Sequence, residues 1–292
     1  MKVHAIINPV AGGGYASEIY SSVLEEFREF KVAHTLTRAP GDATRIAGEA
    51  VQEGTDYILC IGGDGTLNEV VQAMAHSDSV LVPISAGTGS DFVKTLGFRD
   101  IQSVIQSMKQ KSSMQMDLGV IEHESGSRYF LNILEIGFGA SVMKRVNSRK
   151  KVRGGSSFTS SLLALLPFFK PYPVKLVSEG VEEPLTLAEM VVANGKYFGG
   201  GMLAAPSAQL DDGLFDIHIV KGMGKLQMIS KLRNLRDGSY VEDPAVKSLR
   251  VDKLEIKGDA PVEIDGEDYG NLPVRIRLEP GALKVLSPYL QK

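Results

Sequence analysis

The stretch LCIGGDGTLNEVVQ, residues 59–72, joins an apolar strand-like run to a helical pattern through a glycine turn. Free N–H groups at a helix start favour anions, and glycine lets a ligand approach the backbone without a Cβ clash. The turn therefore reads in two ways. It is punctuation if Thr66 and Glu69 form a capping box; it is a phosphate site if its amides stay open. Asp64 bears on the choice. A carboxylate among phosphate-binding amides repels phosphate unless a cation lies between them, as Mg2+ does when it bridges carboxylate and phosphate oxygens. Without such a cation, Asp64 only stabilises the turn.

Outward from this stretch, strands and helices alternate. VHAII, VAHTLT, YILCI and VLVPIS are strand patterns. Between them lie helical patterns: Ile19, Val23, Phe27 and Phe30 recur at helical spacing, GDATRIAGEAVQEG ends at Gly54, and TLNEVVQAMA follows the glycine turn. GTGSDFVKTLG opens a further helix. This alternation predicts an open, mostly parallel α/β sheet over residues 1–120. From 121 to 285 the rhythm changes to short strand-like runs separated by Gly, Pro, Asp and Ser, among them RYFLNILEIG, LTLAEMVVANG, FDIHIVKG and APVEIDGE. That pattern predicts an antiparallel β-sandwich, interrupted by helices near 156–169 and 224–236. Residues 286–292 are expected to form a tail that packs back on the first domain.

The bulk numbers agree with two domains of ordinary size: 292 residues, 43% hydrophobic and 23% charged. A net charge of −3 provides no global field for nucleic acid. The single cysteine, Cys60, lies in an apolar run and reads as a core thiol. The five histidines show no metal-ligand spacing. No run approaches the ~20 apolar residues of a membrane span, and the N-terminus lacks a signal-peptide pattern, so the expected location is cytoplasmic.

Three strands of the first half end in glycine-rich turns: NPVAGGG, GGDGT and SAGTGSDF. In open α/β sheets, ligands bind outside the carboxyl ends of the strands. Each turn alone also reads as a simple flexible connection. Neither a G-x-x-x-x-G-K-[ST] loop nor a correctly framed G-x-G-x-x-G is present, so a phosphate site here must be built differently.

GGDGTLNEV (62–70) followed by PISAGTGSDF (83–92) resembles the diacylglycerol kinase catalytic domain, and more closely the bacterial lipid kinases related to sphingosine and ceramide kinases. Asn8-Pro9, NILEIGFGA (132–140), ANGKYFGGGMLAAPSAQLDDGLFD (193–216) and VEIDGE (262–267) extend the resemblance over nearly the whole chain. The resemblance implies transfer of the γ-phosphoryl group of ATP to a lipid hydroxyl with Mg2+, in an NAD kinase-like fold with its active site between two domains. By motif, Asn8, Ala11, Gly12, Gly13, Gly14, Thr37, Gly62, Gly63, Asp64, Gly65, Thr66, Leu67, Asn68 and Thr88 would line the nucleotide. Asp212, with the backbone oxygens of Gln209 and Leu214, would hold a structural Mg2+. Glu267 would accept the proton, and Asp265 would assist with the metal or serve as an alternative base. The commoner family pattern reads GTxNDF; Ser90 stands at the asparagine here, which leaves the role of that position open.

By itself, DGE is also an ordinary acidic turn. The basic run KRVNSRKKVRGG (144–155) and the apolar FTSSLLALLPFFKPYP (158–173) read either as a peripheral contact with anionic membrane or as a solvated face beside a core helix. Two rival functions remain open: a kinase of a soluble acceptor such as NAD, and a non-catalytic nucleotide-binding or membrane-sensing protein.

Overall fold

The computed structural model describes residues 1–86, 91–148, 161–162, 164–178, 181–224 and 232–288. The chain divides into two compact units, Met1–Leu118 with Pro280–Lys292, and Gly119–Glu279.

The first unit alternates β1 (Val3–Ile7), α1 (Tyr15–Glu26), β2 (Ala33–Leu36), α2 (Asp42–Gln52), β3 (Tyr57–Gly62), α3 (Asp64–Met74), β4 (Val80–Ser85), α4 (Asp91–Leu96) and α5 (Ile101–Lys109). The strands pair in parallel in the order β2, β1, β3, β4. All six residues of β3 are buried, which is why YILCIG is one continuous apolar run: a parallel strand covered on both faces has no polar side. Cys60 is fully buried among them, and burial pushes its thiol well above the ordinary range. Helix α5 is not among the sequence expectations, although Asp100 caps it, accepting from Ser103 N at 2.7 Å.

The capping-box reading of Thr66 and Glu69 is corrected. Helix α3 begins at Asp64, two residues earlier, with Gly63 at its N-cap. Thr66 Oγ1 accepts from Asn8 Nδ2 at 2.9 Å. The Glu69 carboxylate accepts from Ala43 N at 3.1 Å and so holds the start of α2.

The second unit is built from antiparallel pairs. A strand β5 (Ser113–His123) runs into it and is followed by β6 (Gly126–Phe130), β7 (Ile133–Gly137), α6 (Phe138–Ser148), β8 (Tyr172–Ser178), β9 (Val181–Ala193), β10 (Tyr197–Phe198) and β11 (Met202–Leu203). After these come β12 (Phe215–Lys221), β13 (Val246–Val251), β14 (Lys253–Gly258), β15 (Pro261–Ile264), β16 (Glu267–Asn271) and β17 (Val274–Leu286). Strands run in the order β16, β15, β7, β9, β8, β14, β17, and β12 lies between β9 and β13. The long β9 serves two neighbourhoods: its first half pairs with β8, its second half with β7 and β12. Phe130 stacks on Phe215 in the core with ring centroids 5.6 Å apart. A Cβ at Gly119 would overlap the Phe130 ring, so that glycine is fixed by packing.

Val285, at the end of β17, pairs in parallel with Leu81 inside the first unit. Of the helix expected near 156–169, the described part ends in a short 3-10 turn, Leu166–Phe168. Of that expected near 224–236, Leu232–Leu235 forms a 3-10 turn and 225–231 lie outside the described residues. The basic residues 149–155 also lie outside them. Beyond them, Leu162, Leu166 and Phe169 pack into a cluster with Phe138 and Val142, so this apolar stretch serves the unit's own core, with Phe168 exposed.

Candidate active site

In the first unit, the loops after β1, β2 and β3 leave the same carboxyl edge of the parallel sheet. Gly12, Gly13 and Gly14 all have left-handed backbones, with φ of 61°, 70° and 100°. Three successive positions of that kind are open to glycine at no steric cost. Asn8 ties this loop to the third: its N–H donates to Ile61 O at 3.0 Å and its amide to Thr66 Oγ1. Gly62 is needed because a Cβ there would come within 2.7 Å of the Thr66 side chain. Thr37 follows β2 and donates from its N–H to Ile7 O at 2.8 Å.

Gly63, Asp64 and Gly65 are partly accessible at the start of α3, where the N-terminal end of the helix dipole favours an anion. Asp64 adds a hard oxygen donor beside them, which fits a Mg2+ carried by a nucleotide. Asn8, Ala11 to Gly14 and Thr37, together with Gly63 to Gly65 at the start of α3, are therefore at least partly accessible, while the side chains of Leu67 and Asn68 are interior. Asn68 Oδ1 accepts from Gln72 Nε2 at 3.2 Å, so its amide serves the helix. Thr88 and Ser90 lie outside the described residues.

In the second unit, three motifs noted in the sequence become neighbours. The order β15, β7, β9 brings VEIDGE, NILEIG and the strand before ANGKYF together. DGE forms the two-residue hairpin turn between β15 and β16, with Asp265 at φ 48° and Gly266 at φ 90°. Asp-Gly with both φ positive is the favoured type I′ sequence. The Asp265 carboxylate accepts three backbone N–H groups, from Leu131 at 2.8 Å, Asn132 at 2.9 Å and Ile133 at 3.1 Å. Both of its oxygens are thus engaged, which suits a fixed anion that positions the turn and does not suit a base. Glu267, first residue of β16, is exposed. Asn147 of α6 donates to Gly266 O at 2.9 Å and braces the turn from the other side. Asn194 Nδ2 donates to Leu131 O at 2.8 Å and extends the same network.

The DDG turn departs from expectation. Asp212 Oδ2 pairs with Arg250 Nη2, and Asp212 Oδ1 accepts from Leu214 N at 3.1 Å. Arg250 Nε also meets Asp216 Oδ2 at 3.3 Å. Strand register builds this in, because Asp216 and Arg250 are direct partners across β12 and β13. With the guanidinium there, Asp212, Gln209 and Leu214 do not fit a bound metal ion. Among the described residues, no group of three or more His, Cys, Asp or Glu is arranged to hold a metal.

Sequence reading missed three acids. Glu135 on β7 faces Glu263 on β15 across the ladder, and Glu189 on β9 lies one strand away, opposite Gly137. Burial pushes the Glu135 carboxyl up to about 7, against the pull of a hydrogen bond with Glu263. Burial, then the charge of Glu135, raises Glu189 and Glu263 well above the usual range. Their signal was an acid at a strand position between apolar neighbours, in ILEIG, AEMVV and PVEID. Glu135 and Glu189 border an apolar cavity of about 80 Å³, walled by Phe138, Val142, Leu162, Val191, Val220 and Tyr240 among others.

Comparison with known proteins matches residues 2–121 to the diacylglycerol kinase catalytic domain and 132–287 to the YegS C-terminal NAD kinase beta sandwich-like domain. A diacylglycerol kinase of Mycobacterium tuberculosis (strain ATCC 25618 / H37Rv) is 29% identical, over 98% of this chain and 95% of that protein. A protein of Pseudomonas fluorescens, assigned as a YegS-like lipid kinase, is 32% identical over 87% of this chain and 84% of its own length. A solved structure from Bacillus anthracis str. Sterne, assigned as a diacylglycerol kinase, superposes with a TM-score of 0.80 at 25% identity, covering 98% of this chain and 95% of that one. An Archaeoglobus fulgidus NAD kinase in complex with ATP shares the fold at a TM-score of 0.55 and 14% identity, over 98% of this chain and 94% of that one.

Proposed function

Because this chain belongs to the lipid kinase family that joins a diacylglycerol kinase catalytic domain to a YegS C-terminal domain, we propose that it transfers the γ-phosphoryl group of ATP to the hydroxyl of a diacylglycerol-like lipid. The observation that carries this reading is the Asn8–Thr66 hydrogen bond, which locks the Gly12–Gly14 loop to the turn before α3. The glycine loop and the N-terminus of α3 are thereby held at one sheet edge, where backbone N–H groups and a helix start favour a polyphosphate.

In this reading the Gly12 to Gly14 loop and the start of α3 hold the phosphates, with Thr37 on the neighbouring loop. Asp64 would hold the Mg2+, which when bound spreads the negative charge of the transferring group. Glu267 accepts the proton of the lipid hydroxyl. Asp265 acts as a positioning residue: its three N–H bonds fix the turn from which Glu267 projects. No step is assigned to a metal at Asp212.

The test is a radiolabelled ATP assay on the purified protein, with a neutral lipid extract and with NAD as separate acceptors. Label in the lipid phase alone is expected. Label in NAD alone, or in neither, overturns the reading.

A further inference from the structure

The two-residue hairpin at Asp265-Gly266 pairs Ile264 with Glu267 and leaves the N–H and C=O of Gly266 outside the ladder. Both are met from elsewhere in the unit. The Gly266 N–H donates to Glu263 Oε1, and Gly266 O accepts from Asn147 Nδ2 at 2.9 Å. That carbonyl belongs to the peptide bond that carries the Glu267 N–H. One residue beyond Glu267, Asp268 pairs with Lys144 at 3.4 Å, so α6 reaches both neighbours of Glu267. Glu263 is suited to its part. Burial and the charge of Glu135 raise its carboxyl well above the usual range, so it keeps its proton and donates it to Glu135. Its Oε1 is then the carbonyl oxygen, an acceptor with Gly266 as its donor.

We propose that Glu263 and Asn147 are positioning residues for the proton acceptor: they grip Gly266 by its N–H and its C=O and thereby fix the backbone from which the Glu267 side chain projects. The inference rests on the lipid-kinase reading, with Glu267 as the base. Glu267 is exposed, so its aim depends on the backbone beneath it. Proton transfer needs the base within hydrogen-bond reach of the hydroxyl, and a displacement of about 1 Å costs on the order of a hundredfold in rate. The Asp265 bonds fix the first half of the turn, and Glu263 and Asn147 fix the second. Asn147 is itself exposed, so its truncation touches the turn and not the core.

The test is a double-mutant cycle on the full chain, read by steady-state kinetics with ATP and dioctanoylglycerol. Asn147→Ala is expected to lower kcat about tenfold while both KM values and the melting temperature stay unchanged. In the Glu267→Ala background the same substitution is expected to change nothing further, because Asn147 acts through Glu267. Glu263→Gln keeps an acceptor for Gly266 and a donor for Glu135 and is expected to retain the wild-type kcat; Glu263→Leu keeps neither and should lose about as much as Asn147→Ala. Wild-type kcat in Asn147→Ala, an equal loss with and without Glu267, or a Glu263→Gln as slow as Asn147→Ala overturns the proposal. The Asn147 cycle decides the matter if Glu263→Leu does not fold. Amide hydrogen exchange reads the grip without turnover: the Gly266 N–H is expected to exchange about a hundredfold more slowly than a free amide. Exchange at the free rate overturns the grip. If dioctanoylglycerol is phosphorylated but Asn147→Ala matches the wild type, the kinase reading stands and this one fails. If Gly266 is protected but neither dioctanoylglycerol nor a neutral lipid extract is phosphorylated, the kinase reading fails and takes the positioning role with it.

Discussion

Glu135 and Glu263 are direct partners across β7 and β15 and hydrogen-bond to each other through their carboxyl groups. Two carboxylates facing each other in a buried ladder repel, so a proton must lie between them. Glu189 adds a third acid to the cluster.

Stability should therefore fall as pH rises. Each of the three acids has a folded pKa above its ordinary value of 4.5, so the folded state binds more protons than the unfolded one above that pH. The stabilisation is complete below about 4.5 and, for Glu135, is lost as pH rises toward about 7. Its full size for one group is on the order of 3 kcal/mol. Glu135→Gln keeps the shape and removes the titration. Thermal unfolding from pH 4.5 to 8 should show a flatter decline in the variant, and parallel curves would contradict this.

Asp265 and Glu267 should separate by phenotype. Asp265→Ala leaves three buried N–H groups without their acceptor and is expected to lower stability by about 3 kcal/mol, with activity falling as the turn loosens. Glu267→Ala removes an exposed side chain and should leave the melting temperature within about 1 °C while kcat falls at least a hundredfold. Urea unfolding and steady-state kinetics on both variants check the split.

Arg250 should make the DDG turn independent of divalent metal. Melting temperature measured with EDTA and with excess Mg2+ is expected to be the same, because the guanidinium already neutralises Asp212 and Asp216. Arg250→Met leaves the buried Asp216 without its cation and should lower the melting temperature only modestly, because the arginine is partly exposed and its ion pairs are screened by solvent. A Mg2+-dependent melting temperature in the wild type would contradict the exclusion of a metal there.

Gly62→Ala places a methyl against Thr66 and should disturb the turn from which α3 starts. The KM for ATP is expected to rise at least tenfold, with the lipid KM little changed. Asn8→Ala, which frees Thr66 from the first loop, should shift ATP the same way but less. Equal shifts in both substrates would speak against a nucleotide role for this edge.

The first unit was legible because a parallel sheet covered on both faces turns each strand into an apolar run, and its helices carry a clear period. α5 escaped although Asp100 and Ser103 form a capping box, whereas Thr66 and Glu69 imitate one and do other work. Asp-Gly at 265–266 announced a tight turn, but nothing local could show that Asp265 binds the N–H groups of residues more than a hundred positions away. The same holds for Glu135, Glu189, Glu263 and Arg250. Their partners are set by strand register, which a single sequence fixes only through its long-range pairing.

The central claim, phosphoryl transfer from ATP to a neutral lipid hydroxyl, is tested most directly by mass spectrometry of a neutral lipid extract incubated with ATP, Mg2+ and the protein, with Asp64→Ala as the paired control. The account predicts one new phosphate on a hydroxyl-bearing glycerolipid with the wild type and none with the variant. An unchanged lipid profile with the wild type, or the same phosphorylated product with Asp64→Ala, would contradict it.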